Sequence, residues 1–580
     1  MNKQDLEKRK IVYFTMEVGL DPKMPTYSGG LGVLAGDTIK SCADLGVPLI
    51  AVTLLNEKGY FAQRLDEEGN QAETPVEWPK EKFLTLLPEK ASVYIESREV
   101  KMQVWEYVIK GASVGTVPVY FLDTNLLENT EYDRTLTSYL YGGDQWYRLC
   151  QEIILGIGGL RAIEAIGYKN IEKYHMNEGH ASLLGMELLE RTKKTGETDI
   201  SKKYDFESVR NKCIFTTHTP VAAGHDRFPL DFVKRALRSD LPFKMPDIFI
   251  RDNEMNMTLI ALNLSKYING VAKKHGEVTR EMFPGYSIDS ITNGIHLLTW
   301  AAPAFKKLYD KYIPGWQSDY FSLRYALGIP KEEIFQAHLE AKKELIDYVN
   351  ARTGINMDYN TFTLGFARRV AAYKRADLLL SDINRLVEIN DKAGRMQIIY
   401  AGKAHPKDGG GKELIKKIFS RIKKLSPKIR IAYLENYDMT QGKLITSGVD
   451  LWLNNPLPPQ EASGTSGMKA CLNGVPNLSI LDGWWIEGCI ENVTGWAIGT
   501  SISLSTDGER SRTIGSIQSQ NTDSVQDARN LYQKLETIII PMFYKEKDKW
   551  LEVMRHAIAL NASFFNTQRM VQEYVLNAYL

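Results

Sequence analysis

Four cations, Arg368, Arg369, Lys374 and Arg375, are crowded behind the strand-like stretch Thr363–Ala367. Arginine grips phosphate through two parallel N–H groups and lysine acts as a compact point charge. Such a cluster at the C-terminal end of a strand therefore reads as a phosphate site. A second stretch, Glu461 to Gly474 (EASGTSGMKACLNG), follows the apolar run Val449–Leu453. Its small residues Ser463, Gly464, Thr465, Ser466 and Gly467 predict a turn, Met468–Leu472 a short helix, and Asn473-Gly474 its stop. Strand, small-residue turn and helix start together suit an anion, because backbone N–H groups can approach it. Lys469 sits in the first turn of that helix, where dipole compensation gives it no purpose. It is then a phosphate contact, an amine held for Schiff-base chemistry, or an ordinary surface lysine. Neither this stretch nor Gly409–Lys412 is a nucleotide P-loop: the first lacks a closing Gly-Lys-Ser/Thr, and Glu413 stands where the second needs Ser or Thr.

The first half of the chain offers polar residues at other strand ends. Tyr174–His180 (YHMNEGH) carries His175, Asn177, Glu178 and His180, and Cys213–Thr217 leads into His218. His175 and His180 lie five residues apart and do not share a helical face, so no metal site is expected. The loop Tyr27–Gly32 supplies Gly30, Leu31 and Gly32, and Thr292–His296 supplies Asn293.

The elements that must position these residues alternate between strand and helix. Strand 11–16, a Gly-rich turn, helix 33–45 and strand 49–54 make the first half of a doubly wound fold. Residues 59–122 alternate in polarity and predict inserted hairpins. A long amphipathic helix is expected over 147–166, and a linker helix begins at Pro330. In the second half, strands 363–367, 396–401, 429–434, 449–453 and 477–481 are separated by helices. That rhythm predicts a parallel sheet covered on both faces. The basic stripe Lys416, Lys417, Arg421, Lys423 and Lys424 reads as a solvated helix face.

At 580 residues, one hydrophobic core is too little and at least two domains are expected. With 72 basic and 71 acidic residues the net charge is +1, which argues against a nucleic-acid or anionic-membrane binder. The charged start MNKQDLEKRK runs straight into a strand, and no apolar run is long enough to span a bilayer. Five scattered cysteines form neither a metal pattern nor a disulfide framework. A cytoplasmic, reduced, multidomain enzyme is the expectation.

EASGTSGMK followed by LNG and LDG resembles the pyridoxal-phosphate segment of the glycogen/starch (α-glucan) phosphorylases of compact bacterial and archaeal type. The resemblance runs in segments from about residue 11 to about residue 490. It implies an α/β protein of two doubly wound, Rossmann-like domains facing a central cleft, the GT-B-type glycosyltransferase architecture. The expected division is 1–300, 301–545, and a helical segment 546–580 that returns to the first domain. Pyridoxal 5'-phosphate would be held as a Schiff base on Lys469, with Gly464, Thr465, Ser466, Arg368, Lys374 and Tyr437 around it. Arg369, Lys374 and His218 would carry catalysis. Gly30, Leu31, Gly32, Asn177, Glu178, His180, His218, Asn293, Glu461, Ser463 and Gly464 would hold the substrate.

The activity implied is retaining phosphorolysis of an α-glucan by inorganic phosphate to α-D-glucose 1-phosphate, with the cofactor phosphate as proton relay. The resemblance also implies a homo-oligomer, and neither a nucleic acid nor a membrane as partner. Departures from the family pattern are Ala371-Ala372 for His-Glu, Ser466-Gly467 for Gly-Asn, and Trp484-Trp485 after LDG. The N-terminal phosphorylation and nucleotide-effector segments of the regulated enzymes are not expected. A nucleotide-sugar glucosyltransferase of glycogen/starch-synthase type is the alternative within enzymes, and it needs no Schiff-base lysine. A non-enzymatic glucan-binding scaffold would have no use for the Arg368–Arg375 charge.

Overall fold

The computed structural model of the protein describes residues 3–113, 115–221, 224–426, 428–499 and 517–580. The stretch 500–516 of the expected second domain thus lies outside the described residues. The chain divides into two compact units. Unit one comprises residues 1–61, 75–296 and 567–580; unit two comprises 62–74 and 297–566.

Unit one is built on a nine-stranded sheet. Its strands are β1 Ile11–Phe14, β2 Leu49–Leu54, β3 Thr85–Ile95, β4 Arg98–Lys110, β5 Thr116–Asp123, β6 Lys173–Asn177, β7 Cys213–Thr216, β8 Tyr267–Gly270 and β9 Asp289–Ser290. They lie in the order β9-β8-β7-β6-β1-β2-β5-β4-β3. From β9 to β5 every pairing is parallel. The expectation of inserted hairpins holds for β3 and β4, which pair antiparallel. It holds for β5 as well, which pairs antiparallel with β4, Trp105 against Phe121, while its other edge pairs parallel with β2, Ala51 against Val119. That strand is buried from Val117 to Asp123, and burial on both faces is the mark of a parallel-sheet strand. The helix α1, Gly30–Asp44, follows β1 and buries one face against the sheet.

Unit two carries a six-stranded sheet of β10 Phe362–Ala367, β11 Met396–Ala401, β12 Arg430–Leu434, β13 Leu451–Asn454, β14 Asn477–Ile480 and β15 Gly495–Ile498. The order is β12-β11-β10-β13-β14-β15, with every pairing parallel. Numbered along the chain this is 3-2-1-4-5-6, the doubly wound arrangement. The parallel strands of unit one follow the same order with a seventh added. In such sheets the crevice lies where the winding reverses, between strands 1 and 4, at their C-terminal ends. That places the crevice beyond β1 and β6 in unit one, and beyond β10 and β13 in unit two.

The linker helix α2, Lys331–Thr353, starts behind Pro330 and packs Ile334, Leu345, Ile346 and Val349 inward. It also buries charge. Asp450, just before β13, accepts from Lys342 Nζ at 2.5 Å, from the Thr363 N–H at 2.7 Å and from His338 Nε2 at 2.9 Å. Burial alone would raise this carboxyl, but Lys342 and His338 outweigh it and hold it below its usual range. Truncating one partner of a buried pair typically costs about 3–5 kcal/mol because the other charge is stranded. Asp450→Ala is therefore expected to lower the free energy of urea unfolding by about 3–5 kcal/mol, with a matching fall in midpoint, and Asp450→Asn by less. Equal midpoints for Asp450→Ala and the parent would remove this triad from the fold's support.

Candidate active site

In unit two the loops after β10 and β13 meet on one carboxylate. Glu461 Oε2 accepts from Lys374 Nζ at 2.6 Å and from Arg368 Nη1 at 3.3 Å, and all three side chains are buried. Burial pushes the Glu461 carboxyl up, but the two cations outweigh it and keep it below its ordinary value. Arg368 Nη2 also donates to Ser466 Oγ at 3.2 Å, while its buried Nε has no hydrogen-bond partner. Ser463 Oγ is another buried polar atom without a partner. Arg369, by contrast, is exposed, with Nη2 3.5 Å from the Tyr373 hydroxyl.

The turn into the anchor helix is shaped by contacts that exclude side chains. Gly464 has φ +86°, and a Cβ on Gly467 would stand 2.4 Å from Asn477 Oδ1. The helix α3, Ser466–Leu472, is only seven residues long, so its dipole adds little and the cations supply most of the attraction. Lys469 is buried, with Nζ 3.6 Å from the centroid of the Trp300 ring. Asn473 Nδ2 ties the Lys469 and Trp300 carbonyls together at 2.9 and 3.0 Å, which fixes lysine and indole to one another. Tyr437, after β12, is half-buried, and desolvation raises its phenol.

Asp482, two residues beyond β14 in the LDG stretch, is a functional candidate that its motif alone does not reveal. Its Oδ2 accepts from the Glu461 N–H at 2.9 Å and its Oδ1 from the Gly483 N–H at 2.9 Å. Burial, aided by the Glu461 carboxylate, pushes its pKa up to about 7. Trp300 also escaped sequence reasoning: nothing before the fold links an indole in the linker to a lysine far downstream.

In unit one the switch point is held by hydrogen bonds rather than by exposed charge. Asn177 donates to Thr15 Oγ1 at 3.0 Å and accepts from His218 Nε2 at 2.6 Å. The His218 proton is therefore on Nε2 and the lone pair on Nδ1. Glu178, at φ +73°, accepts from the His218 N–H at 2.7 Å and the Thr219 hydroxyl at 2.9 Å. His180 Nε2 lies 3.4 Å from Asp226 Oδ2, and Asp226 takes Arg148 Nη2 at 2.9 Å. Burial lowers both His180 and His218 to about 3, so both imidazoles are neutral at ordinary pH. His175 is spent structurally, on Tyr579 and Thr216, each at 2.8 Å.

Glu17 is a further residue that sequence reading passed over. Its carboxylate accepts from the Ser28 N–H at 2.5 Å, the Gly29 N–H at 3.3 Å and the Tyr141 hydroxyl at 2.9 Å. It fills the space beneath Gly32, where a Cβ would be 2.7 Å from Glu17 Oε2. Gly30 and Leu31 open α1 just above it. Asn293 is buried, and its Oδ1 has no partner.

Residues 244–579 match the model of the carbohydrate phosphorylase family. A maltodextrin phosphorylase of Thermococcus litoralis is 40% identical, over 98% of this chain and 70% of its own length. The chain belongs to the carbohydrate phosphorylase family. A glycogen phosphorylase of Aquifex aeolicus is 35% identical over 99% of this chain and 87% of its own, and one of Mycobacterium tuberculosis is 39% identical over 98% and 70%. Carbohydrate phosphorylases use pyridoxal phosphate, and unit two fits that group. A buried lysine beside an indole, an unsatisfied arginine Nε and seryl hydroxyl, and a turn without side-chain bulk suit a planar ring carrying a phosphate.

The Asp482 carboxyl gives a pH signature with a definite sign. Between its ordinary value of 3.8 and about 7 the folded chain holds a proton that the unfolded chain has lost. Its contribution to stability is full below the ordinary carboxylate range and is lost as pH rises towards about 7. Asp482→Asn keeps the Oδ1 acceptor and cannot ionise. Unfolding midpoints at about pH 5 and about pH 8 should therefore show the parent losing stability relative to Asp482→Asn. A parent-to-variant difference independent of pH would mean that Asp482 ionises normally.

Proposed function

We propose that this protein is an α-glucan phosphorylase, which removes glucosyl units from the non-reducing end of an α-1,4-glucan with inorganic phosphate and releases α-D-glucose 1-phosphate with retention. The observation that carries this reading is the buried convergence of Arg368 and Lys374 on Glu461, beside Lys469, in a chain of this family. A glucan alone gives no reason to bury such charge, whereas two neighbouring phosphates need it to offset their repulsion.

Lys469 would hold pyridoxal 5'-phosphate covalently through Nζ, and its phosphate would lie among Lys374, Arg368 and the Gly464–Ser466 turn. When bound, that phosphate supplies the proton exchanged with the substrate phosphate. Arg369, exposed next to Arg368 in the chain, would turn onto the incoming phosphate, which arginine can grip with two N–H groups. Lys374 stays fixed by Glu461 and neutralises charge close to the reacting oxygen. Glu461, Ser463 and Gly464 line the same turn and would meet sugar hydroxyls and phosphate.

In unit one the neutral His218 would accept a sugar hydroxyl proton at Nδ1, its ring set by Asn177. Asn293 and the Gly30–Gly32 amides would complete the sugar's hydrogen bonds, with Glu178 and His180 supporting the wall. Neutral imidazoles suit this task, since a sugar needs acceptors and donors rather than charge. The nucleotide-sugar synthase reading is not favoured, because it gives Lys469 nothing to do.

Three measurements test this. Maltodextrin and phosphate should yield glucose 1-phosphate, and protein that carries pyridoxal phosphate yet yields none would overturn the activity. Borohydride reduction followed by peptide mapping should mark Lys469 and no other lysine. Arg369→Ala should mainly raise the KM for phosphate, while Lys374→Ala should lower cofactor content and kcat. Losing a charged partner in a desolvated site costs about 2–5 kcal/mol, or tens- to thousands-fold in rate. Normal cofactor content and turnover in Lys374→Ala would remove that residue from the site.

A further inference from the structure

Arg375, the last of the four cations, touches neither Glu461 nor the turn, yet its guanidinium is buried. Nε donates to the Asn455 carbonyl at 2.9 Å and Nη2 to the Pro456 carbonyl at 2.8 Å. Nη1 donates to Asp527 Oδ2 at 2.8 Å and to Ser524 Oγ at 3.2 Å. Its backbone is left-handed, φ 48° and ψ 49°, a conformation that side chains avoid and that surrounding contacts must impose. Those contacts are visible: Asn455 Nδ2 donates to the Arg375 carbonyl at 2.7 Å, and the Leu457 N–H to the Tyr373 carbonyl at 2.7 Å.

The turn that carries Lys374 is thus fastened to the segment that leads into Glu461, and Arg375 spans the two. The far end of the fastening is the helix α4, Ile517–Lys534. Besides Asp527 and Ser524, α4 contributes Tyr532, whose hydroxyl accepts from the Asp382 N–H at 2.9 Å and donates to the Leu379 carbonyl at 2.9 Å. The helix therefore grips the chain just after Lys374 at both ends of residues 375–382.

We infer that Arg375 is a positioning residue for the phosphate site, and that Asp527, through it, sets where the Lys374 ammonium stands relative to Glu461. The inference rests on the phosphorylase reading for its kinetic consequences, though not for its structural ones. Without the Asp527 carboxylate the buried guanidinium loses its ionic partner. It then has reason to leave the Asn455 and Pro456 carbonyls, and the left-handed turn loses its side-chain fastening to the segment before Glu461.

The test uses the full chain with its cofactor, as Asp527→Asn and Asp527→Glu. Asp527→Asn is expected to raise both the pyridoxal phosphate concentration for half-reconstitution, read by absorbance, and the KM for phosphate, each by about tenfold. The KM for maltodextrin should stay unchanged, amide exchange over residues 370–376 should quicken, and Asp527→Glu should restore most of the loss. Parental half-reconstitution and phosphate KM in Asp527→Asn would overturn the inference. So would an equal rise in both KM values with a lower melting temperature in Asp527→Asn and Asp527→Glu alike, which marks a merely structural pair. If the parent itself releases no glucose 1-phosphate, the phosphorylase reading fails instead. Amide exchange and cofactor retention then decide the positioning role alone.

Discussion

A carboxylate buried against two cations is the constraint on which unit two depends. Taking each ion out of water costs several kcal/mol, and attraction repays it only with close geometry and further hydrogen bonds. The 2.6 Å approach of Lys374 to Glu461 satisfies the first demand. The second needs partners from three strand ends: Arg368 after β10, the Ser466 hydroxyl after β13, and Asp482 after β14 on the Glu461 amide. Any shift of one loop strands a charge belonging to another. The small-residue turn follows from the same demand, since a side chain at Gly464 or Gly467 would press on Glu461 or Asn477.

Unit one solves a different problem with the same strand order. Its switch point offers hydrogen bonds from groups kept neutral by burial, among them His180 and His218. Where charge does enter, it is consumed locally: Glu17 by the Ser28 and Gly29 amides, Asp226 by Arg148. A charged wall suits an ionic ligand and a neutral, densely hydrogen-bonded one suits a sugar, so the two crevices differ in chemistry while sharing a topology.

Much of this was legible in the residues. Alternating strands and helices marked both parallel sheets, and the cation cluster and the anchor turn marked one site before any geometry was known. What stayed hidden depended on register. Arg368 and Arg369 are chemically identical neighbours, yet one is buried on Glu461 and the other exposed. Side chains on extended chain alternate faces, so a single step in register exchanges them. β5 is legible as the second arm of a hairpin with β4 but not as the parallel neighbour of β2, and β15 is only four residues, Gly495–Ile498. Trp300 and Glu17 were unreadable for a different reason: each acts on a distant turn, and one sequence holds no trace of which turn that is.

The distribution of the chain between the units has a consequence for its synthesis. Unit one is assembled from residues 1–61, 75–296 and 567–580. The late segment brings Tyr579 to His175, Tyr574 to Asn269, Thr567 to Ser41, and Arg569 to the Thr292 carbonyl. Domains ordinarily fold in the order in which the ribosome releases them. Here the earlier unit has its sheet in hand, but those buried polar groups wait for a strip made after the whole of residues 297–566. Until then His175, Asn269 and Ser41 lack the partners that strip supplies, while His175 and Asn269 keep Thr216, and no single cut between the units leaves both with all their pieces.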